Sequence, residues 1–328
     1  MKKIFPTKLK IGDEIRIIAP ARSMKIINAE SQEIANRRLA DLGFKVTFGK
    51  HINESDEFAS SSIKSRVQDL HEAFLDPKVK AILTVIGGFN SNQLLKYIDW
   101  NIIKNNPKIF CGYSDITALN NTILEKTGLV SYYGPHYSSF GEKLYFDYTL
   151  DCFKKCLLSE EPFKLEASKE WSDDTWYKDQ GNRNLIQNEG WVVLNSGKAQ
   201  GTIIGGNLCT LNLLQGTEYF PSLDNAILFI EDDSESLAYT FDRDLQSLIH
   251  QSDFSKVKGI AIGRFQKESK ILLDTLTKII KSKKELDDIL IVTNVDFGHT
   301  DPKVTFPIGG NVLMNIQDNN STIKILEH

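Results

Sequence analysis

Three side chains of the types that catalyse acyl transfer occur in this chain near the ends of short apolar runs. They are Ser114, Glu231 and His299. A serine hydroxyl is a weak nucleophile until a histidine takes its proton, and a carboxylate can orient that histidine. The order serine, acid, histidine along the chain is used by one superfamily of α/β hydrolases. These residues predict nucleophilic catalysis.

The surroundings of Ser114 predict a sharp corner between a strand and a helix. Residues 109–111 are apolar and are followed by Gly112, which permits a tight bend. From Asp115 onward, apolar residues recur at helical spacing. Such a corner lifts a hydroxyl above the carboxyl edge of a sheet, beside the free amides of the helix. The alternative is that Ser114 only caps the helix.

Backbone amides after two of the strands are candidates for an oxyanion hole. Gly87 and Gly88 follow the apolar run 81–86, while Ser114 and Asp115 begin a helix. We predict that the amides of Gly88 and Asp115 bind the oxyanion. A plain turn is the alternative for the glycine pair. The segment around Gly87 and Gly88 lacks the lysine of a phosphate loop and the spaced glycines of a dinucleotide site.

His299 has the best setting among the six histidines for a general base. Gly298 and Pro302 mark a tight loop around it, and His136 is the rival. The competing chemistry is a metal site, whose candidate ligands are Glu231, Asp232, Asp296, His299 and Asp301. One histidine with scattered carboxylates lacks the spacing typical of metal ligands. We therefore predict neither a metal nor another cofactor.

Strand and helix patterns alternate along the chain, which predicts an α/β fold. Strands are predicted at residues 14–19, 44–48, 81–86, 109–111, 199–204, 226–230, 258–262 and 289–292, and helices at residues 29–42, 65–74, 92–97, 208–214 and 271–281. Several strands are continuously apolar rather than alternating. This pattern indicates a parallel sheet covered by helices on both faces.

The middle of the chain is polar, has no clean period and carries several aromatic rings. We predict a nucleophile domain at residues 1–165, a linker and lid at 166–190, and a second domain at 191–328 that carries the acid and the base. Trp171, Trp176 and Trp191 either anchor the lid to the body or stack on a planar ligand. Spacing does not say which ring faces the site.

Composition and charge exclude several classes of protein. The 328 residues are 41% hydrophobic and 25% charged, which is typical of a globular chain long enough for two domains. A formal charge of −4 and the lack of a basic stripe argue against nucleic acid as a partner. No stretch approaches the roughly 18 apolar residues of a membrane span, and charges interrupt the N-terminal run. We therefore predict a cytoplasmic protein without a membrane partner.

The four cysteines are too few and too scattered for a disulfide framework, and a reducing compartment would keep them as thiols. Cys152 and Cys156 could share one helix face, but no cluster of histidines or cysteines completes a zinc set. We predict that both are core residues.

Six short motifs occur in order, and together they resemble the family of LD-carboxypeptidases and microcin C immunity peptidases. They are Ile17-Ile-Ala-Pro20, Gly87-Gly88, Gly112-Tyr-Ser-Asp115, Ile204-Gly-Gly-Asn-Leu208, Phe229-Ile-Glu-Asp232 and Phe297-Gly-His-Thr-Asp301. The resemblance implies Ser114 as nucleophile, His299 as general base and acid, and Glu231 as the group that orients the imidazole. It also implies a flavodoxin-like first domain, a smaller swivelling α/β second domain and a homodimer.

The tryptophan-rich middle segment is closer to the immunity-peptidase branch, which uses a loop tryptophan to stack a nucleotide base. On this resemblance we predict Gly87, Trp176 and Asn207 as substrate-binding residues. The expected activity is hydrolysis of an acyl–nitrogen bond in a peptidyl-nucleotide or aminoacyl-nucleotide analogue. The alternative enzyme is an LD-carboxypeptidase that trims murein tetrapeptide. The alternative outside catalysis is a module that binds a small ligand.

Overall fold

The computed structural model describes residues 2–318 and 320–328 and contains two large β-sheets flanked by helices. The helices are α1 (Ala29–Asp41), α2 (Ile63–Leu75), α3 (Trp100–Asn105), α4 (Thr117–Thr127), α5 (Asp147–Leu157), α6 (Leu208–Asn212), α7 (Ala238–Ile249) and α8 (Leu273–Lys281). The strands are β1 (Glu14–Ile18), β2 (Lys45–Phe48), β3 (Val79–Thr84), β4 (Ile109–Cys111), β5 (Ser131–Tyr133), β6 (Phe163–Leu165), β7 (Glu170–Trp171), β8 (Ile186–Gln187), β9 (Val192–Asn195), β10 (Gly197–Asn207), β11 (Ala226–Glu231), β12 (Gly259–Gly263), β13 (Leu290–Val295), β14 (Phe306–Ile308), β15 (Asn311–Ile316) and β16 (Thr322–Glu327).

The first sheet has the strand order β14-β5-β4-β3-β1-β2. Strands β1 to β5 are parallel, and helices capped by polar side chains connect several of them. Asn28 begins α1 and Ser62 begins α2, because each side chain accepts a hydrogen bond from a free backbone amide. Since β3 and β4 are neighbours, the loop after β3 lies next to the corner after β4.

The second sheet has the strand order β6-β16-β15-β10-β11-β12-β13-β9. Its centre, β10 to β13, is parallel, and β11 and β12 are completely buried. The outer strands pair antiparallel, and β15 alternates buried with partly exposed residues. This alternation is typical of a sheet region with one face toward solvent.

Two strands belong to the sheet that is formed mainly by the other half of the chain. β6 precedes the lid but pairs with β16 in the second sheet, and β14 follows it but pairs with β5 in the first. The membership of the two sheets therefore does not follow the proposed domain limits, because β6 and β14 each pair antiparallel with a strand from the other proposed domain. The lid segment contains the small hairpin β7–β8.

The two sheets are joined by aromatic packing and by side-chain hydrogen bonds. Phe306 of β14 stacks on Tyr133 of β5 and packs against Phe229 of β11, with ring centroids 4.9 Å apart in both pairs. The side-chain amide of Asn121 in α4 binds both backbone groups of Gly205, at 2.7 and 3.2 Å. Aromatic pairs of this kind contribute about 0.5–1.5 kcal/mol beyond their buried area.

The predicted α/β class is confirmed, with a first sheet that is parallel except for its edge strand β14 and a mixed second sheet. The second sheet has more strands than the first, so the second domain is smaller only in its number of residues. Its swivelling motion stays a prediction. Among the residues that the structure describes, no helix combines the length and apolar character of a membrane span.

Two of the predicted helices need correction. The helix expected from Asp115 onward begins as a 3-10 turn at Ser114–Ile116, and α4 starts only at Thr117. The helix predicted at residues 92–97 is a single 3-10 turn at Ser91–Leu94, because Asp99 caps a separate helix, α3. Cys152 and Cys156 are buried in α5, as predicted.

Candidate active site

Ser114, His299 and Glu231 form a continuous chain of hydrogen bonds where the two sheets meet. Ser114 Oγ lies 2.9 Å from His299 Nε2, and His299 Nδ1 lies 2.8 Å from Glu231 Oε2. Both distances lie within the range expected for a nucleophile, its base and the group that orients the base. Ser114 follows β4 of the first sheet, whereas Glu231 ends β11 of the second. The arrangement therefore requires both domains.

The backbone at Ser114 adopts a conformation that non-glycine residues rarely occupy. Its φ is 60°, in the left-handed region, at the sharp corner between β4 and the following 3-10 turn. Its amide donates a hydrogen bond to the hydroxyl of Tyr133 at 3.2 Å. Strained residues of this kind cost about 1–3 kcal/mol and persist only when their surroundings hold them.

Glu231 is fully buried, and both of its carboxylate oxygens have partners. Oε2 contacts His299, and Oε1 accepts a hydrogen bond from the Tyr133 hydroxyl at 2.6 Å. Burial alone would raise the pKa of Glu231, but the charge of His299 and hydrogen bonds from His299, Tyr133 and Asn207 outweigh burial. The pKa lies below its usual value, so the carboxylate is ionised at neutral pH.

His299 is prepared to accept a proton from Ser114. Burial lowers the pKa of His299, but the charge and the hydrogen bond of Glu231 raise it by more, so the net pKa lies above its usual value. The ring of Tyr113 meets the imidazole at 61°, with centroids 5.5 Å apart. This contact restricts the orientation of the imidazole.

The rival histidine, His136, does not contact the serine. Its Nδ1 lies 2.8 Å from the hydroxyl of Thr84, and its ring stacks on Tyr113 with centroids 4.1 Å apart. Burial, followed by the charges of His299 and Lys303, holds the pKa of His136 well below its usual value. It is a neutral ring that supports Tyr113.

The glycine loop after β3 touches the serine corner. A Cβ added at Gly87 would lie 2.9 Å from Ser114 Cβ and 3.5 Å from the Asp115 nitrogen, so only glycine permits this approach. The Asp115 carboxylate accepts the Ser91 amide at 2.9 Å, and the Ser91 hydroxyl donates to the Asp115 carbonyl at 2.7 Å. Burial raises the pKa of Asp115. The two hydrogen bonds between Asp115 and Ser91 fasten the glycine loop to the corner.

The candidate metal ligands do not converge. Asp296 accepts hydrogen bonds from the hydroxyl and amide of Ser168, at 2.8 and 3.1 Å, and lies 3.5 Å from Arg264. Asp301 pairs with Lys303. Within residues 2–318 and 320–328, no group of three or more His, Cys, Asp or Glu side chains is arranged to hold a metal ion.

The lid is docked against the first domain and against the loop that carries His299. Ser172 and Asp301 exchange two backbone hydrogen bonds, of 2.7 and 2.8 Å. Arg183 of the lid forms an ion pair with Glu142, and both side chains are only 2% exposed. The lid and the His299 loop therefore hold each other in place.

The three candidate tryptophans have different surroundings. The guanidinium of Arg264 lies 4.9 Å from the ring centre of Trp171, and Trp191 packs against the core. Both rings are anchors. Trp176 is half-buried and has its chain neighbour Tyr177 as an aromatic partner, with centroids 5.9 Å apart.

Asn207, predicted to bind substrate, is buried and is already engaged by the protein. Its Oδ1 caps α6 by accepting the Thr210 amide at 3.1 Å, and its Nδ2 donates to Asp232 at 3.1 Å. Burial, followed by the charge of Glu231, raises the pKa of Asp232 to about 7. The structure thus places Asn207 beside the buried carboxylates, and substrate binding by this residue stays a prediction.

Comparison with known families agrees with this geometry. The peptidase S66 models described as the LD-carboxypeptidase N-terminal and C-terminal domains match residues 15–134 and 200–314. The chain belongs to the LD-carboxypeptidase family. The resemblance found in the six motifs is therefore confirmed, and the chain is a serine-type peptidase of family S66.

Similar proteins cover nearly the whole chain. A candidate carboxypeptidase of Bacillus subtilis (strain 168), YocD, is 56% identical over 99% of this chain and 100% of its own length. The crystal structure of an MccF-like protein from Bacillus anthracis (strain Ames) is 55% identical, with a TM-score of 0.98 over 99% of this chain and 100% of that one. The structure of MccF in complex with glutamyl sulfamoyl guanosine is 32% identical, with a TM-score of 0.89 over 98% of both chains. The microcin C7 self-immunity protein MccF of Escherichia coli is 35% identical over 87% of this chain and 85% of its own length.

The motifs did not reveal Tyr133, whose hydroxyl contacts both Ser114 and Glu231. They do include Gly298, which lies so close to Glu231 that an added Cβ would be 2.5 Å from Oε2. Tyr133 ends the strand after the serine helix, and this position is the only sequence signal that could have pointed to it.

Proposed function

We propose that this protein is a serine peptidase that uses Ser114, His299 and Glu231 to hydrolyse the acyl–nitrogen bond between an aspartyl carbonyl and an aminoacyl-nucleotide analogue. The observation that carries the proposal is the uninterrupted contact from Ser114 Oγ through the imidazole to the buried carboxylate, at 2.9 and 2.8 Å. A second feature, the close approach of the glycine loop to the serine corner, supports the proposal, because the loop would supply backbone amides where charge develops.

In this mechanism, His299 Nε2 takes the proton of Ser114 as the oxygen attacks the acyl carbon. The carbonyl π-electrons move to the oxygen, and the amides of Gly88 and Asp115 stabilise the resulting oxyanion. Loss of one such donor typically costs about 2.7–4 kcal/mol. When the oxyanion collapses, the carbon–nitrogen bond breaks and His299 returns the proton to the leaving nitrogen. Water then releases the acyl group from Ser114 by the same steps, while Glu231 stabilises the imidazolium.

Two features support a nucleotide-bearing substrate. MccF, whose fold this chain shares, has been crystallised with aspartyl sulfamoyl adenosine. In this chain, Trp176 is the lid tryptophan that is available to stack on a base, because Trp171 and Trp191 are held by the body.

The second candidate is an LD-carboxypeptidase that removes the terminal residue of murein tetrapeptide. The family description and the carboxypeptidase assignment of YocD favour it. Both candidates use the same nucleophile and differ in what lies beyond the scissile bond. We also propose a homodimer, a cytoplasmic location and a reaction that needs no cofactor, with sedimentation analysis as the test of the dimer.

The deciding experiment offers the purified protein a peptidyl-adenylate analogue and murein tetrapeptide separately, and measures the products of each. Consumption of the adenylate alone supports the proposed function, and consumption of the tetrapeptide alone replaces it with the second candidate. Ser114→Ala is the control, and it should abolish both reactions without changing the fold. If neither compound is consumed and a fluorophosphonate fails to label Ser114, the protein is a binding module.

A further inference from the structure

One tyrosine hydroxyl joins two members of the catalytic triad. Tyr133 lies at the end of β5, is 1% exposed, donates to Glu231 Oε1 at 2.6 Å and accepts the Ser114 amide at 3.2 Å. We propose that Tyr133 is a positioning residue that sets the backbone of the nucleophile and the carboxylate of the acid through this single oxygen. This inference rests on the proposed triad.

The direction of both hydrogen bonds follows from the chemistry of the three groups. Burial raises the pKa of Tyr133 well above its usual value, so the phenol keeps its proton. An ionised carboxylate only accepts hydrogen bonds, and a backbone amide only donates them. The single phenol proton therefore goes to Glu231, and the lone pairs of the oxygen face Ser114. No other arrangement satisfies all three groups.

The bond to Ser114 has a consequence for the oxyanion hole. Because the Ser114 amide is already used by Tyr133, it cannot serve as the donor to a developing oxyanion. Among the residues that the structure describes, neither the Gly88 amide nor the Asp115 amide donates to a backbone carbonyl in a turn or loop. The bond also holds Ser114 at its φ of 60°, where an L-residue is strained.

The bond to Glu231 fixes the plane of the carboxylate. With Oε1 held by Tyr133, Oε2 faces His299 Nδ1 at 2.8 Å. Tyr133 belongs to the first sheet and Glu231 to the second, so this bond also sets the position of the acid relative to the nucleophile. The tyrosine ring itself is held by stacking on Phe306. Removal of the hydroxyl alone therefore leaves the packing in place.

The test is Tyr133→Phe, with Tyr132→Phe as the matched control. Tyr132 is the preceding residue of β5 and is fully buried, but its hydroxyl accepts from Lys8 at 3.4 Å on a different face of the sheet. The probe is a peptidyl-adenylate analogue, or murein tetrapeptide if that is the compound consumed. We expect Tyr133→Phe to lower kcat/KM roughly ten- to a hundredfold, as loss of a hydrogen bond to a charged group implies, and Tyr132→Phe to change it less than about threefold.

The pH profile separates positioning from a general loss of structure. Without the phenol, the Glu231 carboxylate is less stabilised and attracts the imidazolium more strongly. The acidic limb of kcat/KM should therefore move to higher pH in Tyr133→Phe and stay in place in Tyr132→Phe. When Glu231 is already replaced by Gln, Tyr133→Phe should lower kcat/KM by a smaller factor than it does in the wild type, because the two residues act together.

Two results with a folded Tyr133→Phe variant would overturn the inference. One is an acidic limb of the kcat/KM profile at the wild-type pH, and the other is a kcat/KM within about threefold of that of Tyr132→Phe. The Ser114→Ala variant keeps this result separate from the proposed function. If Ser114→Ala retains activity, the triad itself is wrong. If Ser114→Ala is inactive while Tyr133→Phe behaves as the control does, only the role of Tyr133 is wrong. Thermal unfolding of each variant reports whether it folds.

Discussion

Gly298, the residue before His299, allows a sharp test of the proposed role of Glu231. Its φ is 102°, and a Cβ at this position would lie 2.5 Å from Glu231 Oε2. Ordinary carbon–oxygen contacts are about 3.3–3.6 Å, so in Gly298→Ala the carboxylate must retreat by about 0.8–1.1 Å. The matched control is Gly12→Ala, since Gly12 has a φ of 92° and open space around the added carbon.

The retreat separates the acid from the base. Movement of the carboxylate by this distance lengthens the contact between His299 Nδ1 and Glu231 Oε2 from 2.8 Å to about 3.6 Å or more, beyond hydrogen-bond range. Disabling the acid of a serine-protease triad lowers kcat by about 10⁴-fold. Because Gly298→Ala keeps the charge, we expect a loss of about 10²- to 10⁴-fold. The backbone strain, about 1–2 kcal/mol, is common to both alanine variants and affects stability.

The assay measures the rate at which a fluorophosphonate labels Ser114, because this rate reports the activated hydroxyl without requiring the natural substrate. Gly12→Ala should label at about the wild-type rate, whereas Gly298→Ala should label at least about a hundredfold more slowly. Thermal unfolding should show that both variants fold, with the larger loss of stability in Gly298→Ala because it also displaces the buried Glu231 carboxylate. Equal labelling rates in the two variants would mean that Glu231 does not support the base, and the reasoning would fail.

Three further predictions concern the substrate, the metal and the base. Trp176→Ala should lower kcat/KM about five- to a hundredfold for a peptidyl-adenylate but not for the matching peptide amide, because base stacking contributes about 1–3 kcal/mol. Trp171→Ala and Trp191→Ala are the comparison variants. Equal losses of kcat/KM on both substrates would argue against stacking. EDTA should leave the rate unchanged, since no step uses a metal; loss of activity that zinc restores would contradict this. The acidic limb of kcat/KM should have its midpoint above pH 6.5, because the base must be neutral and its pKa is raised above that value; a midpoint below pH 6.5 would contradict the effect of Glu231.

The sequence predicts the parts of the site whose signals are local. An apolar run, a glycine and a helical period are enough to place Ser114 at a corner, because a strand, turn and helix form from neighbouring residues. Glu231 and the His299 loop are recognised in the same way, each from its own strand. The start of α4 at Thr117 was missed, because the strained corner continues as a 3-10 turn that periodicity does not distinguish from an α-helix.

The contacts between the sheets could not be predicted in this way. Tyr133 and Glu231 are 98 residues apart, and their hydrogen bond depends on how the two sheets pack. The same is true of β6 and β14, which pair across the boundary, and of the lid, which docks through the backbone of Ser172. A single sequence contains no period or spacing that reports such long-range pairs.

The path of the chain limits how a swivelling second domain could move. The polypeptide passes from the second sheet to the first a final time between Val295 of β13 and Phe306 of β14, and His299 lies on this crossing. Because β14 pairs with β5 and Phe306 stacks on Tyr133, one end of the catalytic loop is fixed to the first sheet. Its other end moves with the second sheet. Any rotation between the sheets must therefore distort the loop that carries His299 and change the contact between His299 and Ser114.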